Sequence, residues 1–249
     1  NPASVLVGDF LYSRAFQMMV EPGSMRIMQV LADATNIIAE GEVLQLMNMH
    51  DASLDEAAYL LVIRSKTAKL FEASARLAAI LAKASSDMEE ACATYGQALG
   101  TAFQVIDDVL DYEGNAAEMG KNLGDDLREG KPTPLMAMAT ARADTAQLGV
   151  LQLVGNTVLH DAQVADVQAV IRETGALDQL EQLITSLTDD AIEAIGKAPL
   201  SQEAFFMKRR CLCIIWSMNR SRSPASTWVR TVLSAKWNSC DFTAIAWRP

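Results

Sequence analysis

Apolar residues recur at helical spacing in one segment after another, from the start of the sequence to about Gly196. Residues that end helices separate these segments, and Glu21-Pro22-Gly23-Ser24 is the clearest such break. No stretch alternates apolar and polar residues over the length of a strand. This succession of helices predicts an all-α fold and, more specifically, a helical bundle.

Capping signals predict where the helices begin. Ser4 precedes a first helical segment at residues 4–20, and a second segment covers residues 25–47. Ser53 and Ser86 are each followed three residues later by glutamate, which is the pattern of a capping box. These boxes predict a long helix over residues 53–83 and another over residues 86–112.

A polar and glycine-rich stretch follows at residues 113–131. A loop of this length inside a compact domain is often functional. Pro132 suits the first turn of the next helix, and shorter helices are predicted from there to about Gly196.

The formal net charge of −10 is the sum of two unlike parts. Residues 1–200 hold 13 Lys+Arg and 29 Asp+Glu, whereas residues 201–249 hold 8 and 2. We therefore predict a domain over residues 1–200 and an atypical basic tail over residues 201–249, which also carries all four tryptophans. Three explanations of the tail remain open: a basic arm for acidic partners or membrane surfaces, a divergent surface extension, or a shifted reading frame.

Composition excludes several classes of function. An acidic chain with two histidines does not suit nucleic-acid binding, and no apolar run reaches the roughly 20 residues of a transmembrane segment. The four cysteines show neither zinc-site spacing nor a disulfide framework, which indicates a cytoplasmic protein. No Walker A loop occurs, and His50 and His160 lack the partnered nucleophile of a hydrolytic triad.

The strongest chemical signal is the segment Gln104-Val105-Ile106-Asp107-Asp108-Val109-Leu110-Asp111. On a helix Asp107 and Asp111 share a face, and Asp108 lies about 100° round from Asp107. The apolar neighbours indicate that much of this helix is buried, where unpaired carboxylates are costly. Mg²⁺ resolves this conflict, because carboxylates are its ligands and substrate phosphates complete its coordination. The alternative is a solvated acidic face.

Two further sets of residues suit a diphosphate. Lys66 and Thr67, inside the long third helix, offer a cation and a hydroxyl donor; the alternative is a surface lysine whose stem covers apolar surface. The loop residues Gly120-Lys121-Asn122-Leu123-Gly124-Asp125-Asp126 and Gly130-Lys131-Pro132-Thr133 suit a flap over a diphosphate.

In their order along the chain, these motifs resemble those of the trans-polyprenyl diphosphate synthase family. The resemblance is carried by Gly8-Asp9, Gly41-Glu42 with Gln45, Ser65-Lys66-Thr67-Ala68, Phe103 through Asp111, and the loop residues from Gly120 to Thr133. Within the family, the amino-acid sequence at residues 3–9 and 39–46 is similar to that of bacterial octaprenyl diphosphate synthases. The resemblance covers about residues 2–200.

This resemblance implies the isoprenoid synthase-type helical bundle and a homodimer. It implies Mg²⁺-dependent, head-to-tail condensation of isopentenyl diphosphate with an allylic diphosphate, giving a long, octaprenyl-type chain for isoprenoid quinones such as ubiquinone. By the same resemblance Asp107, Asp108 and Asp111 hold Mg²⁺ on the allylic diphosphate. The positions that match residues contacting this diphosphate or steadying the allylic cation are Lys66, Thr67, Gln104 and Lys121, together with Lys131 and Asp125.

The sequence departs from the family pattern in three places. The family's first aspartate-rich motif and its isopentenyl diphosphate-binding residues are expected before residue 1. The segment Lys131-Pro132-Thr133-Pro134-Leu135 is one residue shorter than the family's, and the tail does not resemble the family's closing helix. We therefore expect that the parent enzyme is a synthase and that this 249-residue chain alone is inactive.

Two other functions remain open. One is a non-catalytic, synthase-like partner subunit, although the complete aspartate motif and its lysines favour catalysis. The other is a terpene cyclase of the same fold, although the sequence of the loop from Gly120 to Thr133 favours chain elongation.

Overall fold

The structure is a computed structural model, and it describes residues 2–49, 51, 54–113, 124–131, 133–156 and 159–196. This part of the chain is helical without any strand, which confirms the predicted all-α class. The predicted tail at residues 201–249 lies outside the described residues, as do Lys121 and Pro132. Among the described helices, none combines the length and the apolar character that crossing a membrane requires.

The first two helices of the described chain contact each other. Helix α1 (Pro2–Val20) begins two residues before Ser4, so the predicted Ser4 cap is wrong. The predicted break is confirmed, since helix α2 (Met25–Met47) starts after Ser24, whose hydroxyl accepts a hydrogen bond from the Ile27 amide at 3.4 Å. Only Met19 of α1 is buried, so this helix adds little to the core.

The predicted helix over residues 53–83 is interrupted. It consists of α3 (Glu56–Ile63), a π-helical turn (Arg64–Ala68, the π turn) and α4 (Lys69–Leu81). Its cap is Asp55, whose carboxylate accepts from the Ala58 amide at 2.8 Å, while the predicted Ser53 lies outside the described residues. A π turn widens the helix locally and is frequent at functional sites.

Helix α5 (Ser86–Glu113) matches the predicted fourth helix, with its cap one residue earlier than expected. The Ser85 hydroxyl, rather than that of Ser86, accepts a hydrogen bond from the Met88 amide at 3.3 Å. The helix packs along α4 and along the closing helix of the described chain, α11 (Ala176–Gly196). Val105 is fully buried and Ala102 nearly so, which places α5 at the centre of the core.

Short helices complete the bundle. They are α6 (Asp125–Arg128), α7 (Pro134–Thr140), α8 (Thr145–Leu151), α9 (Leu153–Asn156), α10 (Asp161–Glu173) and α11 (Ala176–Gly196). The proline in the first turn of α7 is Pro134, not Pro132 as predicted, because Thr133 caps that helix. Helix α11 reaches Gly196, and the predicted end of the helical region there stays a prediction because residues 197–249 lie outside the described residues.

Two glycines allow α2 and α5 to approach the π turn closely. A Cβ atom on Gly41 would lie 2.7 Å from the Lys66 amide nitrogen, and one on Gly100 would lie 2.7 Å from the Ala68 Cα. Both contacts are far shorter than van der Waals distance, and both involve backbone that cannot rotate away. The π turn is therefore held between two helices at distances that only glycine permits.

Replacing Gly41 with alanine should lower the free energy of unfolding. Overlap with the Lys66 backbone costs about 1–3 kcal/mol, which exceeds the gain of about 1 kcal/mol in helix propensity. Urea unfolding measures the change. Gly149→Ala, on α8, is the matched control, because a Cβ at Gly149 has no neighbour within 4 Å and the substitution should be neutral or stabilising. Equal stability of Gly41→Ala and the unaltered chain would contradict the packing described here.

Candidate active site

A cavity of about 450 Å³ opens between α3, the π turn, α5 and the residues around α6. Its lining in the described part of the chain, here called the carboxylate cavity, combines six carboxylates and two lysines with neutral polar and apolar groups. The carboxylates are Asp107, Asp108, Asp111, Asp125, Asp126 and Glu129, and the lysines are Lys66 and Lys131. The remaining side chains are Gln45, Tyr59, Thr67, Gln104, Thr133, Leu54, Val62 and Ile63.

The π turn supplies one wall. Lys66 is held by α2, since its Nζ donates to Gln45 Oε1 at 2.5 Å and pairs with Glu42 Oε2 at 3.1 Å. Thr67 donates its hydroxyl to Gln104 Oε1 on α5 at 2.9 Å. The two neighbours that sequence analysis paired for phosphate binding therefore face the cavity already oriented by partners on two different helices.

Helix α5 supplies the opposite wall, and its aspartates differ in environment. Asp107 is exposed and has one long contact, 3.5 Å from Gln104 Nε2. Asp108 is 7% exposed, and each of its oxygens accepts a hydrogen bond: Oδ1 from Gln104 Nε2 at 2.9 Å and Oδ2 from the Tyr59 hydroxyl at 2.5 Å. Asp107 is thus the more accessible carboxylate, and Asp108 the more constrained.

Asp111 anchors the third wall to α5. Its carboxylate Oδ2 accepts from the Asp126 amide at 3.1 Å, and its carbonyl oxygen accepts from the Gly124 amide at 2.9 Å. Lys131 forms ion pairs with two carboxylates that precede it, since its Nζ lies 2.7 Å from both Asp126 Oδ1 and Glu129 Oε2. The chain after residue 123 is therefore fastened to the end of the aspartate motif.

Burial is the largest influence on the pKa values of Asp108 and Asp111. It raises the pKa of Asp108 to about 7, against the lowering effect of the Tyr59 and Gln104 hydrogen bonds and with further increases from Asp126 and Asp107. Burial also raises the pKa of Asp111, followed by repulsion from Asp126. Burial lowers the pKa of Lys131, but its hydrogen bonds to Asp126 and Glu129 outweigh this and raise it overall.

The structure brings most of the predicted site residues together. Lining the one cavity are Lys66, Thr67, Gln104, Asp107, Asp108, Asp111, Asp125 and Lys131, while Lys121 lies outside the described residues. Their roles as metal or diphosphate ligands stay predictions. Tyr59 is a cavity residue that was not predicted from the sequence. The available signal was its position two helical turns before Lys66 on an apolar helix, because a buried tyrosine hydroxyl needs a hydrogen-bond partner.

The cavity fits a divalent cation that a ligand helps to hold. Among the described residues, no three carboxylate, imidazole or thiol groups lie close enough to hold a metal ion by themselves. Mg²⁺ does not require such a cage, because it commonly binds one or two carboxylates and keeps waters or substrate phosphates as its other ligands. The buried carboxylates, whose pKa values are raised by burial and mutual repulsion, are the environment that such a cation would stabilise.

Asp108→Asn should raise stability at pH 8 in the presence of a chelator, with the gain shrinking towards pH 4. An unfolded aspartate titrates at about 3.9, whereas the pKa of Asp108 in the folded state is about 7. Between these values the unfolded state releases its proton first, so this group destabilises the folded state increasingly as the pH rises. Thermal unfolding at both pH values measures the difference. Asp107→Asn, at an exposed carboxylate, controls for the lost charge, and a gain for Asp108→Asn that does not change with pH would contradict this interpretation.

Comparison with known proteins agrees with the all-α fold. An octaprenyl diphosphate synthase of Haemophilus influenzae is 46% identical over 204 residues, covering 81% of this chain and 61% of that protein. A decaprenyl diphosphate synthase from Rhodobacter capsulatus superposes with a TM-score of 0.79 at 40% identity, over 86% of this chain and 66% of that one. A polyprenyl synthase from Caulobacter crescentus CB15, complexed with calcium and isoprenyl diphosphate, gives a TM-score of 0.76 at 42% identity, over 80% of this chain and 61% of that one.

The chain spans about three fifths of the length of the curated relatives it matches. The sequence profile of the polyprenyl synthetase family matches residues 1–174. This match includes the helices that build the cavity, from α2 through the capped start of α7. The chain belongs to the polyprenyl synthetase family.

Proposed function

We propose that the protein is a long-chain trans-prenyltransferase, which condenses isopentenyl diphosphate with an allylic diphosphate and forms octaprenyl diphosphate. The observation that carries the proposal is the charge of the carboxylate cavity, whose six carboxylates and two lysines give a formal excess of four negative charges when all of them are ionised. Carboxylates alone would repel an anionic diphosphate. Divalent cations held by the aspartates would offset the charge of both groups, so an acidic cavity of this kind suits a metal–diphosphate complex.

The described residues then have distinct tasks. Asp107, Asp108 and Asp111 would hold Mg²⁺, which when bound offsets charge on the departing diphosphate. Lys66 and Lys131 would donate hydrogen bonds to diphosphate oxygens, as would Lys121 of the predicted glycine-rich loop. These charge-assisted contacts strengthen as negative charge accumulates on the leaving diphosphate.

Neighbouring polar and apolar side chains support these tasks. Thr67 and Gln104, already hydrogen-bonded to each other, would orient the allylic end of the substrate. Leu54, Val62 and Ile63 line the same cavity. Such apolar groups keep water from the allylic cation, which water would otherwise capture.

Incorporation of labelled isopentenyl diphosphate, with farnesyl diphosphate as the allylic primer, tests this function in the product of the complete gene. Asp107→Ala and Asp108→Ala should each lower turnover at least about 100-fold, equivalent to about 2.7 kcal/mol of transition-state stabilisation. Asp166→Ala, which removes an exposed carboxylate from α10, is the matched control and should retain full turnover.

The same assay separates the alternatives. Absence of incorporation, or incorporation that the aspartate substitutions leave unchanged, would favour a non-catalytic partner subunit. Mass analysis showing hydrocarbons in place of prenyl diphosphates would favour a terpene cyclase. Supply of isoprenoid quinone side chains and a cytoplasmic location stay predictions.

We also propose that the protein is a homodimer through α1. The large apolar side chains Val5, Leu6, Val7, Phe10, Leu11 and Tyr12 are 57–68% exposed, and α1 contacts the described chain mainly through α2. A helix that is apolar on all sides normally lies inside a protein or an interface. A second copy of the same helix offers a surface of the same chemistry.

Placing glutamates on α1 should dissociate the dimer. Leu6 and Phe10 share a face at a spacing of four residues, so Leu6→Glu with Phe10→Glu would bury two charges per chain in the contact. Sedimentation velocity should show weakening of the dimer by at least about 100-fold, since buried unpaired charges are costly. Ala162→Glu, at an exposed position of α10, is the control and should remain dimeric. A monomeric unaltered chain would refute the dimer.

A further inference from the structure

Tyr59 is a buried polar residue that the proposed chemistry does not use. It lies on α3 and is 2% exposed, packed within the central core beside Ile63 and Val105. Its hydroxyl points out of this core to Asp108 on α5 and donates to Oδ2 at 2.5 Å. A hydrogen bond to a carboxylate is about twice as strong as one between neutral groups, so this contact links α3 firmly to the aspartate motif.

Gln104 completes the support of the same carboxylate. Its amide nitrogen donates to Asp108 Oδ1 at 2.9 Å, while its carbonyl oxygen accepts from the Thr67 hydroxyl at 2.9 Å. The hydrogen bonds therefore form a chain from the π turn through Gln104 and Asp108 to Tyr59. Because both oxygens of Asp108 have donors from different elements, the plane of its carboxylate is fixed.

Fixing Asp108 also fixes its neighbours. Asp107 and Asp111 lie on the adjoining turn of α5, and they project towards the cavity from the same stretch of helix. A rotation of α5 about its axis would move all three carboxylates relative to Lys66, and Gln104 would move with them. It would break the bond from Tyr59 to Asp108 and the bond from Thr67 to Gln104. The cost of leaving a buried carboxylate oxygen without its donor opposes that rotation.

We propose that Tyr59 is a positioning residue, whose hydroxyl acts through Asp108 to hold the aspartate face of α5 in register with Lys66 and Thr67. The inference rests on the proposed function and adds a residue to the same site. Tyr59 is 2% exposed, and its hydroxyl donates to Asp108. Its hydroxyl sets the geometry in which the aspartates meet a metal–diphosphate complex, and residues that support metal ligands in this way commonly change metal affinity about 10–100-fold.

Calorimetric titration of the full chain with inorganic diphosphate in excess Mg²⁺ tests the inference. Tyr59→Phe keeps the ring and removes only the hydroxyl, and it should weaken binding about 10–100-fold. Tyr112→Phe is the matched control: Tyr112 is also buried, but its hydroxyl bonds Thr133 at 2.7 Å rather than a carboxylate. It should bind within about threefold of the unaltered chain, and thermal unfolding shows whether the two variants lose similar stability.

A double-mutant cycle separates positioning from a general loss of structure. If Tyr59 acts through Asp108, Tyr59→Phe should cause no further loss of affinity in the Asp108→Asn background. The same loss in both backgrounds, or unchanged binding by Tyr59→Phe alone, would overturn the inference and leave the proposed function standing. Failure of the unaltered chain to bind diphosphate with Mg²⁺ would overturn the proposed function and this inference with it.

Discussion

Close contact of α2 and α5 with the π turn (Arg64–Ala68) is the constraint on which the candidate site depends. Gly41 brings α2 against the Lys66 backbone, and Gly100 brings α5 against Ala68 from the other side. With side chains at these positions the helices would move apart, and Lys66 would lose its partners on α2 while Thr67 lost Gln104. Helix packing distance thus controls the position of the polar groups, since close-packed interiors transmit small displacements.

Held in this way, the site concentrates carboxylates beyond what the described chain neutralises. Burial raises the pKa of Asp108 and Asp111, and such a strained electrostatic arrangement lowers the stability of the fold without a ligand. Functional sites often retain groups that destabilise the free protein, because those groups are stabilised when the ligand binds. Under the proposed function, the same acidity that would reject a bare diphosphate would favour cations, and the metal would link the charge of the cavity to its activity.

Much of the fold follows from local sequence signals, whereas parts of the site do not. The bounds of α2 and α5 agree with the prediction because apolar spacing and capping residues act within a few positions along the chain. The π turn has no such signal: Arg64–Ala68 reads as ordinary helix, and the tertiary packing of α2 and α5 accompanies its widening. Tyr59 was missed for a related reason, since its partner Asp108 is 49 residues away and only the fold brings them together.

We propose that the aspartate face of α5 and the π turn bind a metal–diphosphate complex. Crystals of the chain grown with Mn²⁺ and inorganic diphosphate would test this binding most directly. Mn²⁺ accepts the same oxygen ligands as Mg²⁺ and is located by its anomalous scattering. We expect an anomalous peak about 2–2.3 Å from a carboxylate oxygen of Asp107, Asp108 or Asp111, and diphosphate density within hydrogen-bond distance of Lys66. An ion bound away from these aspartates, or a diphosphate bound outside the carboxylate cavity, would contradict it.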